Sequence, residues 1–436
     1  MNTTINVCDY QSIQAAIDAN MEAQNLDLLV PKGTYLSGPL TLRSNLTMTF
    51  ESGAVLKFED DPNLYPPVWS RWEGVECYAL QPLIYGKNVE NVIIQGPGII
   101  DGNGQGWWLK FKDIIDTQRN KPKEVYERRL AALNPDYATR TSGGGRPNTQ
   151  FLRPPLVQFY QSRNVEVRDI TLKNSPFWTL HLLYSQQLTV DNVTFSNPKD
   201  AFNTDAIDID SSQDVRVKNC LIDVGDDGIT LKSGAGQDGL RVDIPTQRVN
   251  IAHCKIMESH GGVAIGSETA AGIRDVHVED CEFQGTQRGI RLKSRRTRGG
   301  TIEGIFLKNL KMDRCWCPIA LQMYYTPGIR NSERAYVLSL APQAVNAGTP
   351  HIQHIEINNI VATNVRAVAA FIVGLPESKI TNVKINDYHW HLATKNQLLS
   401  TDHAEMTDGL FHDDDRGIKA INVSNFSINN QQITNK

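Results

Sequence analysis

One alternating pattern of apolar and polar residues recurs along the middle of the chain, and this repeat limits the possible folds more than any other feature. Its copies begin at steps of roughly 23 to 34 residues, a spacing typical of stacked repeat architectures. The clearest copies are NVEVRDITL at 164–172, QLTVDNVTF at 187–195, DVRVKNCLI at 214–222, RVNIAHCKI at 248–256 and DVHVEDCEF at 275–283. Each alternates as a strand with one buried face does, so the repeat predicts strands stacked coil upon coil.

A second short strand follows each copy. The segments are WTLHL at 178–182, DAIDI at 205–209, DGITL at 227–231, GGVAI at 261–265, RGIRL at 288–292 and PIALQ at 318–322, the last shifted by one residue. When they are aligned, the inward positions form one aliphatic column of Ile207, Ile229, Val263 and Ile290. Short parallel strands around such a column predict an all-β chain folded as a right-handed parallel β-helix.

We expect a single β-helical domain over residues 1–436. Near the N-terminus, apolar residues at helical spacing predict the short capping helix that a solenoid needs, and these residues are Ile13, Ala16 and Ile17. Two stretches, near 59–87 and 103–155, do not fit the coil period and are rich in Trp, Pro and Gly. We expect both to be long loop insertions with a functional role.

Bulk composition argues against several classes of partner. The formal net charge is -4, so nothing predicts a nucleic acid or an anionic membrane as a partner. No stretch approaches the roughly 18 apolar residues of a membrane span. Residues 1–20 contain neither the basic nor the apolar region of a signal peptide, and we therefore expect a cytoplasmic protein.

Two groups of reactive or charged residues are not predicted to form a site. The seven cysteines are irregularly spaced without a CxxC pair, which predicts reduced thiols, no metal centre and no cofactor. Three of them share one repeat position and favour a column of small buried side chains over a metal or redox cluster: Cys220, Cys254 and Cys281. A basic run is more often solvated surface than a binding site, and it comprises Arg295, Arg296 and Arg298.

Polar residues, in contrast, recur directly before the second strands and on their outward faces. Consecutive coils present Asn203-Thr204-Asp205, then Asp226-Asp227, then Ser259-His260-Gly261. The outward positions that follow are Asp208, Thr230, Ala264 and Arg291, and after them Asp210, Lys232, Gly266 and Lys293. Because successive parallel strands lie about 4.8 Å apart, aligned residues become neighbours in space. The alignment therefore predicts one surface stripe that carries carboxylates, an imidazole and cations.

Such a stripe suits hydrolysis of a glycosidic bond in an acidic sugar. One carboxyl group must be protonated to donate to the leaving oxygen, and another must be ionised to activate water. Placing Asp226 beside Asp227 raises the pKa of one at the expense of the other, which separates the two roles. Arg291 and Lys293 would supply fixed cations for a sugar carboxylate.

These motifs resemble those of the polygalacturonases of glycoside hydrolase family 28, and the resemblance covers nearly the whole chain. The matching segments, in the order in which the family has them, are SPFWTLHLL, NTDAIDID, GDDGITLKSG, HGGVAIGSE and RGIRLKS. The N-terminal segment VPKGTYLSGPLTLRSNLTMTFESGAVL resembles the first coils of that family. The resemblance implies a pectin-lyase-like solenoid that acts on polygalacturonate or pectic oligosaccharides.

The resemblance also implies a role for each matching residue. Asp226 would be the general acid, while Asp205 and Asp227 would position and deprotonate the attacking water, so that the anomeric configuration is inverted. His260 would adjust the protonation of the acid. The residues that would hold the galacturonate are Asn203, Arg291, Lys293 and the family's downstream tyrosine, which falls on Tyr324 with Tyr325 as the alternative.

Two departures from the family pattern concern the wall of the cleft. Ser259 and Ala206 stand where the family usually has glycine. Both add only a small side chain and bear on the substrate more than on the chemistry. The resemblance further implies that an insertion closing one end of the cleft would make the enzyme exo-acting, and the candidate wall residues are Trp69, Trp72, Trp107 and Trp108.

We expect an exo-acting polygalacturonase, with several alternatives left open. An endo-acting member of the family would share all the aspartates. A rhamnogalacturonan-acting member would share them too but would have little use for Arg291 and Lys293. A pectate lyase would use Asp205, Asp226 and Asp227 as calcium ligands and would form an unsaturated product. A non-catalytic carbohydrate-binding solenoid would require the aspartate stripe to be incidental.

Overall fold

The computed structural model describes residues 2–139, 147–412 and 416–433. Residues 140–146 of the predicted 103–155 insertion therefore lie outside the described residues. Most strands belong to long sheets of parallel neighbours, and helices are few among the described residues. These are coils of a right-handed parallel β-helix, which confirms the fold class predicted from the repeat. Within the described ranges, no helix is long and apolar enough to cross a membrane.

The chain divides into two compact units. Of the described residues, the first comprises 2–72, 76–139 and 147–226, and the second comprises 73–75, 227–412 and 416–433. The chain passes from the first unit to the second between Asp226 and Asp227. The two predicted insertions are almost entirely part of the first unit.

In the first unit, one sheet collects the strands of the alternating repeat and a second sheet collects the shorter second strands. The repeat strands are Asn2–Asn6, Asn25–Val30, Gly33–Ser37, Leu46–Phe50, Ala54–Phe58, Glu90–Gln95, Ile99–Asp101, Arg163–Arg168, Thr171–Lys173, Gln186–Asp191, Thr194–Ser196, Gln213–Lys218 and Leu221–Asp223. The shorter strands are Leu40–Thr41, Ile84–Lys87, Val157–Tyr160, Leu180–Leu183 and Ile207–Asp210. The alternation that predicts these strands is visible in their burial, since every second side chain is buried.

The register of the repeat strands follows the apolar positions. Val165 pairs with Leu188, and Leu188 pairs with Val215. Asparagines in left-handed backbone conformation form the turns beside these strands, and their amides connect one coil to the next. Asn164 donates to Asn91 over 2.7 Å, and Asn91 donates to Asn45 over 2.7 Å. Burial of the apolar column and these amide ladders together fix the stacking.

The second unit repeats the same construction. Its repeat strands are Thr246–Ala252, Lys255–Met257, Ile273–Glu279, Glu282–Gln284, Thr301–Asp313, His351–Val365, Ile380–Leu392, Val423–Ile428 and Gln431–Gln432. Its second sheet comprises Ile229–Lys232, Gly261–Gly266, Arg288–Lys293, Cys317–Gln322, Ala370–Val373 and Ile418–Ile421. The predicted inward column is confirmed within this unit by the pairs Ile229–Val263, Val263–Ile290 and Ile290–Ile319.

The N-terminal cap is the helix Ile13–Ala19, which buries the three residues that predict it. Ser12 caps this helix by accepting a hydrogen bond from the backbone of Ala15 at 3.0 Å. The remaining helices are Gln105–Asp116, Val125–Leu133, Gly236–Val242 and Asn331–Val337, with 3-10 turns at Val7–Asp9, Pro62–Leu64, Pro147–Thr149 and Lys395–Gln397.

The two insertions are more ordered than long loops. Within 59–87, the strands Pro67–Trp72 and Val75–Leu80 form a two-stranded sheet. The turn between them has φ angles of 44° at Glu73 and 81° at Gly74, typical of a tight hairpin. Within the described part of 103–155, the helices Gln105–Asp116 and Val125–Leu133 form a portion of the expected loop, and the first buries Trp107, Phe111 and Ile114 on one face.

The buried cysteines are part of the core. Cys254 and Cys281 are buried in the second unit, and their thiols approach backbone carbonyl oxygens at 3.4 and 3.2 Å. The hydrogen bond with the neighbouring thiol of Cys254, and then burial, raise the pKa of Cys281 well above its usual range, so that thiol stays protonated.

Candidate active site

In the first unit, two of the predicted catalytic aspartates lie close together. Asp205 immediately precedes the strand Ile207–Asp210, and Asp226 follows the strand Leu221–Asp223. Their carboxylate oxygens approach within 4.8 Å. Asp205 is 3% exposed, whereas Asp226 is half-buried. Two carboxylates at this distance favour a state in which one carries a proton, and the more accessible one can reach a ligand.

The turn that carries Asp205 is held by an arginine from the end of the second insertion. The guanidinium of Arg153 donates to the side-chain oxygen of Asn203 at 2.7 Å and to the carbonyl of Phe202 at 2.8 Å. The backbone of Asn203 has a φ of 56°, in the left-handed region that asparagine tolerates better than most residues. Its side-chain oxygen is therefore already bound within the protein, and its predicted contact with substrate stays a prediction.

Thr204 links this turn to the turn that carries Asp226. Its hydroxyl donates to the carbonyl of Ala201 at 2.8 Å and accepts the backbone N–H of Gly225 at 3.3 Å. A side chain at Gly225 would meet the carbonyl oxygens of Pro198 and Ala201 at 2.5 Å. Only glycine allows this close approach, which brings the two aspartate-bearing turns together.

On the outward side of the second strands of the first unit, polar side chains form a buried network. Arg71, from the hairpin, donates to Asp210 at 2.7 Å and to Ser211 at 2.7 Å. His181 lies 3.6 Å from Asp210 through Nε2 and contacts Gln158 through Nδ1 at 2.8 Å. Burial alone would raise the pKa of Asp210, but the charge of Arg71 and the contact with His181 outweigh burial and lower that pKa to about 2.

In the second unit, Asp227 is held by the two predicted substrate-binding cations. Arg291 Nη1 lies 3.2 Å from Asp227 Oδ1, and Lys293 Nζ lies 2.5 Å from Oδ2. Both cations are almost completely buried. Burial by itself would raise the pKa of Asp227, but the charges of Lys293 and Arg291 hold that pKa well below its usual range. Asp227 is therefore ionised, and binding of a substrate carboxylate by these cations stays a prediction.

The Ser259-His260-Gly261 motif packs against this ion-pair cluster. A side chain at Gly261 would meet Asp227 Oδ1 at 2.7 Å and Arg291 Cδ at 3.0 Å, so the glycine makes room for the pair. Ser259 is buried, and its hydroxyl donates to the carbonyl of Gly261 at 3.2 Å, which accommodates its departure from the family pattern. His260 is half-buried, and its backbone carbonyl accepts from Arg288 at 3.2 Å. The role of its imidazole stays a prediction.

The two candidate tyrosines lie in different surroundings. The ring of Tyr325 lies 5.5 Å from the guanidinium of Arg291 and 5.2 Å from the ammonium of Lys293. Tyr324 is instead buried, with its hydroxyl 3.4 Å from the carbonyl of Ser339. Tyr325, named as the alternative, is thus the tyrosine beside the two cations.

The expectation that the basic run is solvated is wrong. Arg295, Arg296 and Arg298 are 2%, 0% and 2% exposed. Arg295 donates to the backbone carbonyls of residues 325, 327 and 328 and so fixes the turn after Tyr325. Arg296 forms a two-point ion pair with Glu377, at 2.6 and 2.9 Å. These arginines hold loops in place, because a buried guanidinium needs several acceptors.

Two buried glutamates beside these cations were not identified from the sequence. Glu268 lies 3.2 Å from Lys232, and the charges of Lys232 and Arg298 overcome burial and lower its pKa to about 2. Glu405 accepts from Arg291 at 2.6 Å and lies 3.2 Å from Arg288. Both lie outside the repeat strands, where no periodic pattern marks a residue as inward or outward.

The three aspartates differ in how well their carboxylates could bind a metal ion. Asp205 and Asp226 offer carboxylate oxygens close enough to hold a cation. Asp227 accepts hydrogen bonds at both carboxylate oxygens from cationic side chains. A divalent cation beside Asp227 would be repelled by Arg291 and Lys293. The environment of Asp227 therefore suits an ionised carboxylate held by cationic side chains better than a calcium ligand.

Sequence comparison identifies a family across most of the chain. A family model described as "Glycosyl hydrolases family 28" matches residues 21–134 and 141–399. A "Probable polygalacturonase" of Vitis vinifera is 28% identical over 399 residues, which cover 90% of this chain and 72% of the relative. An "Exo-poly-alpha-D-galacturonosidase" of Dickeya chrysanthemi is 30% identical over 327 residues, which cover 71% of this chain and 53% of the relative. An "Endo-polygalacturonase" of Pectobacterium carotovorum subsp. carotovorum is 30% identical over 300 residues, which cover 67% of this chain and 65% of the relative.

A solved structure supports the same family. The exopolygalacturonase from Thermotoga maritima superimposes with a TM-score of 0.74 at 27% sequence identity, covering 90% of this chain and 87% of the other. The similar proteins thus include both exo-acting and endo-acting enzymes by name.

Proposed function

The chain belongs to glycosyl hydrolases family 28, and we propose that it hydrolyses α-1,4-galacturonosidic bonds and releases galacturonic acid from the end of a galacturonate chain. Its substrate would be polygalacturonate or shorter pectic oligosaccharides. The similar proteins named as polygalacturonases support the substrate class, and the arrangement of carboxylates supports the reaction type.

The proposed reaction is a single displacement with inversion. Inversion is proposed from the resemblance to the family and not from the separation of the carboxylates, since oxygens of Asp205 and Asp226 lie within 4.8 Å, closer than the about 6.5–9.5 Å usual for an inverting pair. Asp226 donates its proton to the glycosidic oxygen, which leaves as a hydroxyl group. Water attacks the anomeric carbon from the opposite face and gives up a proton to a carboxylate. Asp227 suits positioning of that water more than accepting the proton, since its low pKa makes it a weak base. Asp205 is then the proton acceptor.

The observation that carries the exo assignment is the hairpin formed by Pro67–Trp72 and Val75–Leu80. Val68 packs on Tyr85, Tyr160 and Leu183, which face outward from three successive strands of the first unit. Ser70 contacts Gln158 on the same face at 3.1 Å. A polymer that lies along this face would meet the hairpin and could not extend past it.

The far end of the hairpin reaches the turn that carries Asp205. Trp72 stacks on Phe177 at 5.1 Å, and its indole N–H donates to the carbonyl of Arg153 at 3.0 Å. Arg153 in turn holds Asn203. This continuity supports a wall that begins directly beside the catalytic turn. Trp72 and Trp107 are buried anchors of the insertions, whereas Trp69 is 36% exposed.

An endo-acting enzyme is the second candidate, because some of the similar proteins bear that name. The reaction type is tested by proton NMR of the products formed in the first turnovers on trigalacturonate. We expect β-galacturonate to appear first and to mutarotate later. Initial α-galacturonate would contradict inversion, and an unsaturated, ultraviolet-absorbing product would contradict hydrolysis.

A further inference from the structure

We infer that Glu405 is a positioning residue for Asp227 and that it acts through the guanidinium of Arg291. This inference rests on the proposed function, because it concerns the part that Asp227 takes in hydrolysis. Glu405 lies between the strands Ile380–Leu392 and Ile418–Ile421, in a segment outside the repeat.

The carboxylate of Glu405 is enclosed by donors from two adjacent strands. Arg291 Nε lies 3.1 Å from both carboxylate oxygens, and Arg291 Nη2 lies 2.6 Å from Oε1. Gln322 donates to Oε2 at 3.1 Å, and Arg288 Nε lies 3.2 Å from Oε1. Burial would raise the pKa of Glu405, but the charges of Arg291 and Arg288 lower it to about 2. Glu405 is therefore a permanent anion on this face of the second unit.

The opposite edge of the same guanidinium holds Asp227. Arg291 Nη1 donates to Asp227 Oδ1 at 3.2 Å. Because a guanidinium is planar and rigid, fixing its Nε–Nη2 edge on Glu405 also fixes the direction of Nη1. Lys293, the other cation on Asp227, has a flexible stem and a single nitrogen and cannot orient a carboxylate in this way. The orientation of Asp227 thus depends on a residue that does not touch it.

The segment that carries Glu405 is anchored by other contacts as well. Arg288 donates to the carbonyl of Ala404 at 2.9 Å, and Thr326 donates to the carbonyl of Met406 at 3.1 Å. Asp402 accepts from Arg366 at 3.0 Å. The segment can therefore stay docked when Glu405 is neutralised, which separates the positioning role from a purely structural one.

The test compares Glu405→Gln with Asp402→Asn. Glu405→Gln keeps the size of the side chain but removes the anion that grips Arg291. We expect kcat on trigalacturonate to fall by about 10- to 100-fold with KM changed by less than about threefold, because a misplaced catalytic group costs rate more than binding. Asp402→Asn removes a buried, ion-paired carboxylate from the same segment, and we expect a lower Tm with kcat changed by less than about threefold.

Glu405→Asp is the second variant and serves also if Glu405→Gln does not fold. This variant keeps the negative charge but has a shorter side chain, and we expect a kcat between those of wild type and Glu405→Gln. Wild-type kcat in Glu405→Gln or, if that variant does not fold, in Glu405→Asp would overturn the inference. Equal losses of kcat in Glu405→Gln and Asp402→Asn would also overturn it. A wild-type enzyme inactive on every galacturonate tested would overturn the proposed function, and this inference with it.

Discussion

Arg71 and Asp210 form a fully buried ion pair of 2.7 Å, although 139 residues separate them in the sequence. Arg71 comes from the hairpin inserted into the first unit, and Asp210 ends the outward-facing strand that follows Asp205. The pair therefore joins the proposed wall directly to the strand beside the catalytic turn. The guanidinium also lies 4.6 Å from the ring centre of Tyr184, which encloses it further.

The first prediction concerns this ion pair. Arg71→Met leaves Asp210 buried without its principal cation, and we expect stability to fall by about 3–5 kcal/mol. The double variant Arg71→Met/Asp210→Asn removes both charges, and we expect it to recover much of the lost Tm. Because the hairpin loses its ion pair with Asp210 in both variants, we expect oligogalacturonates longer than the monomer among the early products from polygalacturonate. Wild-type product patterns in both variants would argue that the hairpin does not decide exo action.

The second prediction concerns the proposed acid. Asp226→Asn keeps the shape of the side chain but cannot donate the proton, so we expect kcat on trigalacturonate to fall by about 100- to 10,000-fold. The Tm should change little because Asp226 is half-buried. Asp200→Asn, an exposed aspartate in the same region, is the matched control and should retain activity. A loss of less than about tenfold in Asp226→Asn would rule out the acid assignment.

The third prediction separates the two tyrosines. The ring of Tyr325 lies beside Arg291 and Lys293, so we expect Tyr325→Leu to raise KM for trigalacturonate severalfold by removing that ring from the two cations. Tyr324→Phe removes a hydroxyl that faces the carbonyl of Ser339, and we expect it to lower Tm with KM unchanged. Steady-state kinetics and thermal unfolding of the two variants decide between them. The reverse pattern would return the substrate contact to Tyr324.

The fourth prediction concerns stability in acid. Burial opposes ionisation of Asp210 and Glu405, yet their partner cations lower the pKa from 3.8 and 4.5, respectively, to about 2. A lowered pKa in the folded state stabilises the fold at pH values above the unfolded-state pKa, and this stabilisation is lost as the pH falls towards the folded-state pKa. We therefore expect Tm to be nearly constant from about pH 7 to 5 and to fall between about pH 4 and 2.

Glu405→Gln provides the control for the acid prediction. This variant has one fewer carboxylate with a lowered pKa, so its Tm at pH 7 should be lower and its decline in acid shallower. Differential scanning calorimetry across the pH range measures both. An equally steep decline in the variant and the wild type would contradict the contribution assigned to Glu405.

The repeat made most of the fold predictable. A period of two residues in each strand determines which side chains face inward, and aligned copies must pair in register because a shift of one residue would expose the apolar column. This is why Val263, Ile290 and their partners occupy the predicted positions. The same alignment brought out Asp205, Asp226 and Asp227, because it placed carboxylates directly before consecutive second strands.

The insertions and the buried charges were harder to predict. The first helix of the second insertion does carry a readable signal, because Trp107, Phe111 and Ile114 recur at helical spacing. Arg153 and Glu405 carry none, since each lies in irregular chain and gains its role from a partner far away in sequence. Burial of Arg296 depends similarly on Glu377, 81 residues downstream. Local pattern cannot reveal such pairs.

The most direct test of the exo-hydrolase account is a time course of products from trigalacturonate and polygalacturonate, with and without a chelator. The account predicts monogalacturonate as the only small product released early from polygalacturonate, and monogalacturonate with an equal amount of digalacturonate from trigalacturonate. The chelator should change neither rate. A ladder of oligogalacturonates would keep the chemistry but contradict the wall formed by the hairpin. An unsaturated product that disappears with the chelator would contradict hydrolysis and make Asp205 and Asp226 calcium ligands.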